Sequence, residues 1–282
     1  AEESEPGTDV FEEEEEKEPV NIFLVQEFCN NGSLQNLLEK NMALGVQSLK
    51  VYSVVNALEY AIHIAKGLEY LHLASPMIIH RDLKPDNVLL HVENGKTIAK
   101  LADFGLSAKL KSQFKSLSRD SSIKKDQATR SLTRYRSKKQ TFVERTESDL
   151  LKNAFKLTGE TGSKMYMAPE VSRRESYNEK IDIYSLGVIL YELFMGYPIL
   201  CTISHSGQPQ EVENYAKRVA SGYRVKIPAR WPPEVGDVIS KMWAQSPEER
   251  PSASEAIKLL TGLQPVAEEW HKKATGCWNC FC

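Results

Sequence analysis

His80-Arg81-Asp82-Leu83-Lys84-Pro85-Asp86-Asn87 decides how the rest of this chain is read. Asp103-Phe104-Gly105 follows it, and Met167-Ala168-Pro169-Glu170 comes later. The runs read H-R-D-x-K-x-x-N, D-F-G and A-P-E. The first two place three aspartates (Asp82, Asp86 and Asp103), a carboxamide and a lysine within one short stretch. Any single aspartate or asparagine here is explained as well by a capped turn or a polar loop. The whole constellation, in this order, is not.

The order and spacing resemble the catalytic loop, the metal-binding loop and the end of the activation segment of protein kinases. The resemblance runs from about Val20 to Leu263, with one long interruption. It implies an α+β, protein-kinase-like fold, mainly the helical large lobe with the hinge strand and short β-hairpins. It also implies roles. Asp82 would accept the proton of a substrate hydroxyl. Asn87 and Asp103 would hold the Mg2+ ions that bridge the phosphates of ATP. Lys84 would sit near the transferred phosphoryl group and stabilise its charge. Arg81 would pair with a phosphorylated residue of the activation segment through its guanidinium fork. Phosphoryl transfer asks a protein for positioning and charge neutralisation rather than covalent chemistry, which suits these residue types.

Lys84 also bears on the substrate. Asp82-Leu83-Lys84-Pro85-Asp86-Asn87 is similar to the serine/threonine class, and the run Lys241-Met242-Trp243 to its tyrosine-kinase-like group. Ser163 falls where that class has a threonine that contacts the base and the lysine, and it keeps the hydroxyl. The partner implied is a protein substrate. Thr158 and Thr161, nearest the A-P-E end, are the expected activating phosphorylation sites.

Asn21–Glu27 carries β-formers and is predicted to be a strand. Asn30-Asn31-Gly32 reads as a turn, with Ser33 capping a helix through Leu34, Leu37 and Leu38. This segment resembles a kinase hinge. By that match Gln26 is the gatekeeper, the Glu27 carbonyl and the Cys29 amide bond the adenine edge, Leu89 packs under the adenine ring, and Ser33 lies near the ribose. Further on, apolar residues at helical spacing predict a helix over Ser53–Ala74. Val88–Leu90 and Ile98–Leu101 read as strands around an Asn94-Gly95 turn. Ile181–Met195 reads as a central helix. His63 and His72 fit the core or surface of their helix better than a ligand set. Asp182 resembles the family aspartate that bonds backbone amides of the catalytic loop. Arg250 resembles the arginine that pairs with the A-P-E glutamate, here Glu170.

With 282 residues and 41% hydrophobic content the chain can bury a sizeable core. The net charge of −2 hides two opposed segments. Residues 1–18 carry ten acids against one lysine, and residues 109–145 carry twelve Lys/Arg against three acids. Both are poor in large apolar residues, so residues 1–19 are expected to be an acidic disordered arm and 111–157 a basic disordered insertion. Each is read as solvated chain or as one half of a mutual attraction. Sixty-two residues separate Gly105 from Ala168, long for an activation segment. Within the insertion Ser122, Thr133 and Ser137 each follow an arginine by three positions, a weak phosphorylation signal. The loop has few aromatics for stacking on bases, so no nucleic acid is expected.

The acidic N-terminus does not read as a secretory leader. Ile183–Leu200 is apolar but contains Glu192 and Pro198, and fits a core helix better than a membrane span. Five cysteines, three of them in the last six residues, do not read as a disulfide framework, so the cytoplasm is the expected compartment. Residues 264–282 are read as a tail. For Cys277, Cys280 and Cys282 three readings stand: unmodified thiols, lipidation that would bring in a membrane, or a zinc site with His271.

The chain departs from the family in its small lobe. No G-x-G-x-x-G run and no V-A-x-K lysine is found upstream of Val20. Thr97-Ile98-Ala99-Lys100 mimics the lysine motif but leads directly into Asp103-Phe104-Gly105, so Lys100 is not given the phosphate-anchoring role. The expectation is weak ATP binding and little or no catalysis by these residues alone. Two explanations compete: part of a full kinase, or a non-catalytic kinase-like binding module.

Overall fold

The computed structural model describes residues 25–44, 51–110, 163–204 and 208–276. The acidic arm, the whole of the basic insertion, Thr158, Thr161 and the terminal cysteines lie outside them, as do the phosphorylation signals at Ser122, Thr133 and Ser137.

Two helices open the described chain, α1 (Leu34–Ala43) and α2 (Val54–His72). Each begins with a reciprocal capping box. Ser33 and Ser53 accept the backbone N–H of Asn36 and Asn56, whose side chains turn back to the cap. Then come the strands β1 (Met77–Ile79), β2 (Val88–Glu93), β3 (Lys96–Leu101) and β4 (Ala108–Leu110). β2 and β3 form an antiparallel hairpin, with Val88 opposite Leu101 and Glu93 opposite Lys96. Asn94 and Gly95 turn it with φ of 49° and 75°, the left-handed pair that a two-residue turn requires. β1 pairs with β4, so the chain on either side of the hairpin is tied together.

The helices α3 (Pro169–Ser172), α4 (Lys180–Met195), α5 (Leu200–Ile203), α6 (Pro209–Ala220), α7 (Pro233–Met242), α8 (Ala253–Gly262) and α9 (Gln264–Gly276) complete the fold. α4 is mostly apolar on every face and almost wholly buried, as such a helix must be. It packs on α2 and α7. Gly187 permits the second contact, because a Cβ there would lie 2.9 Å from the Met242 Cβ. No helix among the described residues is long and apolar enough to cross a membrane.

Two expectations change. Of the strand expected over Asn21–Glu27, residues 21–24 lie outside the described residues; Val25–Glu27 forms no strand, since among the described residues no strand pairs with it, and Val25 is 93% exposed. β-forming side chains cannot make a strand without a neighbour to bond. Nor does the packed fold stop at Leu263. α9 packs on α2, Ala267 is buried, and the Trp270 ring lies 5.5 Å from that of Phe194 and 6.0 Å from that of Trp231.

Candidate active site

The loop His80–Lys84 leaves β1 and runs into a short 3-10 turn, Pro85–Asn87, before β2. Its anchor is Asp182, in the first turn of α4 and almost fully buried. Asp182 accepts the His80 N–H through Oδ2 and the Arg81 N–H through Oδ1, both at 2.9 Å. His72 Nε2 meets the same Oδ2 at 2.9 Å, so this histidine is a core side chain. A buried carboxylate with several hydrogen bonds is a rigid support. It holds Arg81 at a φ of 72°, a left-handed conformation that a non-glycine residue adopts only when its surroundings enforce it.

Beyond this anchor three predicted residues converge. Asn87 Nδ2 donates to the Asp82 carbonyl at 2.7 Å and to Asp82 Oδ2 at 3.0 Å. Lys84 Nζ lies 3.1 Å from the same Oδ2. Asp82 is thus buried, held by an amide and faced by an ammonium. The Asn87 amide nitrogen is committed inward, which leaves its Oδ1 as an oxygen donor for a cation. Asp103 carries the second hard oxygen set, at a φ of 60°, with Gly105 N–H donating to Oδ1 at 3.2 Å. The His80 ring ties the two loops together. It packs on Phe104 at 5.3 Å between centroids, and its Nε2 meets the Ala102 carbonyl at 3.0 Å. A carboxamide and a carboxylate suit Mg2+.

Of the residues expected at the hinge, Ser33 and Glu27 contact the hairpin. Ser33 forms a bridge with Leu89. Its hydroxyl caps α1 through Asn36. The Glu27 side chain meets Lys100 Nζ at 2.5 Å, and Lys100 stands opposite Leu89 in the hairpin. Cys29 is half-buried and its thiol is free.

The sequence signature of the protein kinase domain matches residues 8–131 and 145–259. The chain belongs to the protein kinase domain family. It is 30% identical over 251 residues to serine/threonine-protein kinase VIK of Arabidopsis thaliana, covering 89% of this chain and 45% of that protein. It is 32% identical over 250 residues to serine/threonine-protein kinase CTR1 of the same plant, covering 87% of this chain and 23% of that one. Human mitogen-activated protein kinase kinase kinase 7 is 27% identical over 256 residues, covering 88% of this chain and 32% of that one. The chain therefore spans less than half the length of each of these relatives.

In this kinase domain the A-P-E end is fixed as firmly as the catalytic loop. Arg250 donates from both terminal nitrogens to the Glu170 carboxylate, at 2.6 and 2.8 Å, and from Nε to the Ala244 carbonyl at 2.9 Å. Both partners are buried, and the Arg250 guanidinium also lies over the Tyr184 ring at 5.1 Å. The backbone of Ser163 lies in a 3-10 turn, Ser163–Met165. Arg81 reaches toward Tyr177, with 5.5 Å from its Cζ to the ring centre.

One residue of the kinase domain is visible in the sequence only as a charge in an apolar helix. Glu192, fully buried in α4, accepts the Tyr166 hydroxyl at 2.8 Å and the Ile199 N–H at 2.7 Å through Oε1. Burial pushes its carboxyl up to about 8 against those two hydrogen bonds, which act in the opposite direction. It thereby joins the segment before A-P-E to the start of α5. A charged residue within an otherwise apolar helix is the signal that would have found it.

Proposed function

We propose that this chain is the catalytic region of a serine/threonine protein kinase, which transfers the γ-phosphoryl group of ATP to protein serine and threonine hydroxyls. One observation carries the reading: Asp82 is held by Asn87 and faced by Lys84 on a single carboxylate oxygen. Asp82 takes the proton of the substrate hydroxyl as its oxygen bonds the γ-phosphorus. The bond from that phosphorus to the bridging oxygen breaks, and ADP leaves. Lys84 places positive charge beside the transferred group. Bound Mg2+ neutralises the phosphate charge, and Asn87 Oδ1 with the Asp103 carboxylate would hold it. The hinge backbone at Glu27 and Cys29 faces the adenine. The cytoplasm is the compartment we propose, because the five cysteines do not have the pattern of a disulfide framework.

The test is phosphate transfer to a generic basic protein, with the chain extended to a whole catalytic domain. Asp82→Asn and Asp103→Asn should each cost at least about a hundredfold in turnover. Unchanged turnover in either variant would overturn the assignment.

A further inference from the structure

We propose that Asn30 and Lys100 clamp the adenine-facing backbone of the hinge onto the β2–β3 hairpin at two points, and that Asn30 is a positioning residue for the nucleotide. This rests on the kinase reading above. Asn30 Nδ2 donates to the Val92 carbonyl at 3.2 Å, and its Oδ1 accepts the Val92 N–H at 2.8 Å. That is the pair of bonds a residue on a neighbouring strand makes through its backbone. The main chain continues the pattern at once. Asn31 N–H donates to the Leu90 carbonyl at 3.0 Å, and Leu90 N–H donates to the Gly32 carbonyl at 2.8 Å. The outer edge of β2 is thus paired by a short run of chain, with one side-chain amide acting as its first rung.

The second point lies at the other end of the adenine-facing stretch. Lys100 Nζ sits 2.5 Å from Glu27 Oε1, and Lys100 stands on β3 opposite Leu89. The pairing holds the Glu27 carboxyl below its ordinary range and the Lys100 ammonium above its own. Glu27 and Asn30 flank the backbone between them, so the two contacts fix both its position and its rotation. Apolar packing does not do this work among the described residues, because Val25 is 93% and Phe28 82% exposed. Lys100, which its place in the sequence excludes as a phosphate anchor, acquires a role in holding the hinge.

Steady-state kinetics of the whole catalytic domain, with calorimetry using adenosine as the probe, tests this. Asn30→Ala should raise the KM for ATP about three- to tenfold and leave kcat within about twofold, and the adenosine Kd should rise by the same factor. Asn30→Asp keeps the acceptor but sets a carboxylate oxygen against the Val92 carbonyl, so it should raise the adenosine Kd at least as far as Asn30→Ala. Lys100→Met should raise both constants in the same direction. Unchanged KM and Kd in both Asn30→Ala and Lys100→Met would overturn the clamp, as would a loss confined to kcat. A parent that binds adenosine without transferring phosphate refutes the kinase reading alone, since the binding constants still report on the clamp. A parent that binds no adenosine refutes both.

Discussion

His80 and Arg81 hang from Asp182, a buried carboxylate in the first turn of α4, whereas Glu27–Gly32 is fastened to β2–β3 by two exposed side-chain contacts and two main-chain bonds at the hairpin edge. The two segments serve one proposed reaction, yet they are secured by opposite means. The catalytic loop is part of the core, so its geometry is as stable as the core itself. The hinge is an addition to a hairpin edge, and its side-chain contacts are exposed and each contribute little. The contrast has a physical logic. On the proposed reaction, a base and metal ligands would need fixed positions, while a nucleotide would enter and leave past the hinge.

The sharpest way to break this comparison is on its buried side. Arg250→Ala leaves Glu170 buried and without its charged partner, and removes a donor to the Ala244 carbonyl. Breaking one side of a buried pair of this kind costs about 3–5 kcal/mol. The chain should unfold at markedly lower urea, or fail to accumulate in soluble form. A change below about 1 kcal/mol would show that A-P-E is held by packing, not by the ion pair.

Glu192 is the next test, because it is titratable inside the rigid half. Its folded carboxyl keeps a proton up to a pH of about 8, whereas in the unfolded chain it releases the proton near 4.3. Between those values the folded state holds more protons, so this residue's contribution is complete below pH 4 and is lost as pH rises toward 8. A full proton corresponds to a slope of about 1.4 kcal/mol per pH unit, the upper limit for one group. Urea midpoints at pH 5, 6.5 and 8 should fall more steeply in the parent than in Glu192→Gln. Parallel curves would place the Glu192 carboxyl in its ordinary range.

The same contrast explains what the sequence makes legible. α2, α4 and the hairpin are readable from apolar spacing and an Asn-Gly turn because each is a local pattern with a buried face. Asp182, Glu170 and Arg250 are readable because family motifs mark them. The Asn30–Val92 and Glu27–Lys100 contacts link residues far apart in the chain, and neither leaves a periodic trace. Val25–Glu27 misleads for a related reason: β-propensity describes a side chain's fit to a sheet and cannot supply the sheet. Trp270 reads as part of a tail because the family motifs end before it, although its apolar neighbours Val266 and Ala267 lie at helical spacing with it.

Ser33 gives the smallest effect and separates two roles on the hinge side. The resemblance places it near the ribose, while the structure gives its hydroxyl to the capping box of α1. Ser33→Ala should cost about 1 kcal/mol by exposing the Asn36 N–H at the helix start. For a domain of this size that lowers the melting temperature by about 2–4 °C. Aspartate is an equally good cap, so Ser33→Asp should restore the melting temperature to that of the parent. It also brings a negative charge, which would repel the ATP phosphates if residue 33 lies beside the nucleotide. If the residue only caps, Ser33→Asp will give full thermal rescue with an unchanged KM for ATP. If it also lies beside the nucleotide, the same substitution will give the same thermal rescue with a raised KM. If Ser33→Ala leaves the melting temperature unaltered, α1 starts without help from its cap, and hairpin bonding through Gly32 and Asn31 alone fixes where the hinge ends.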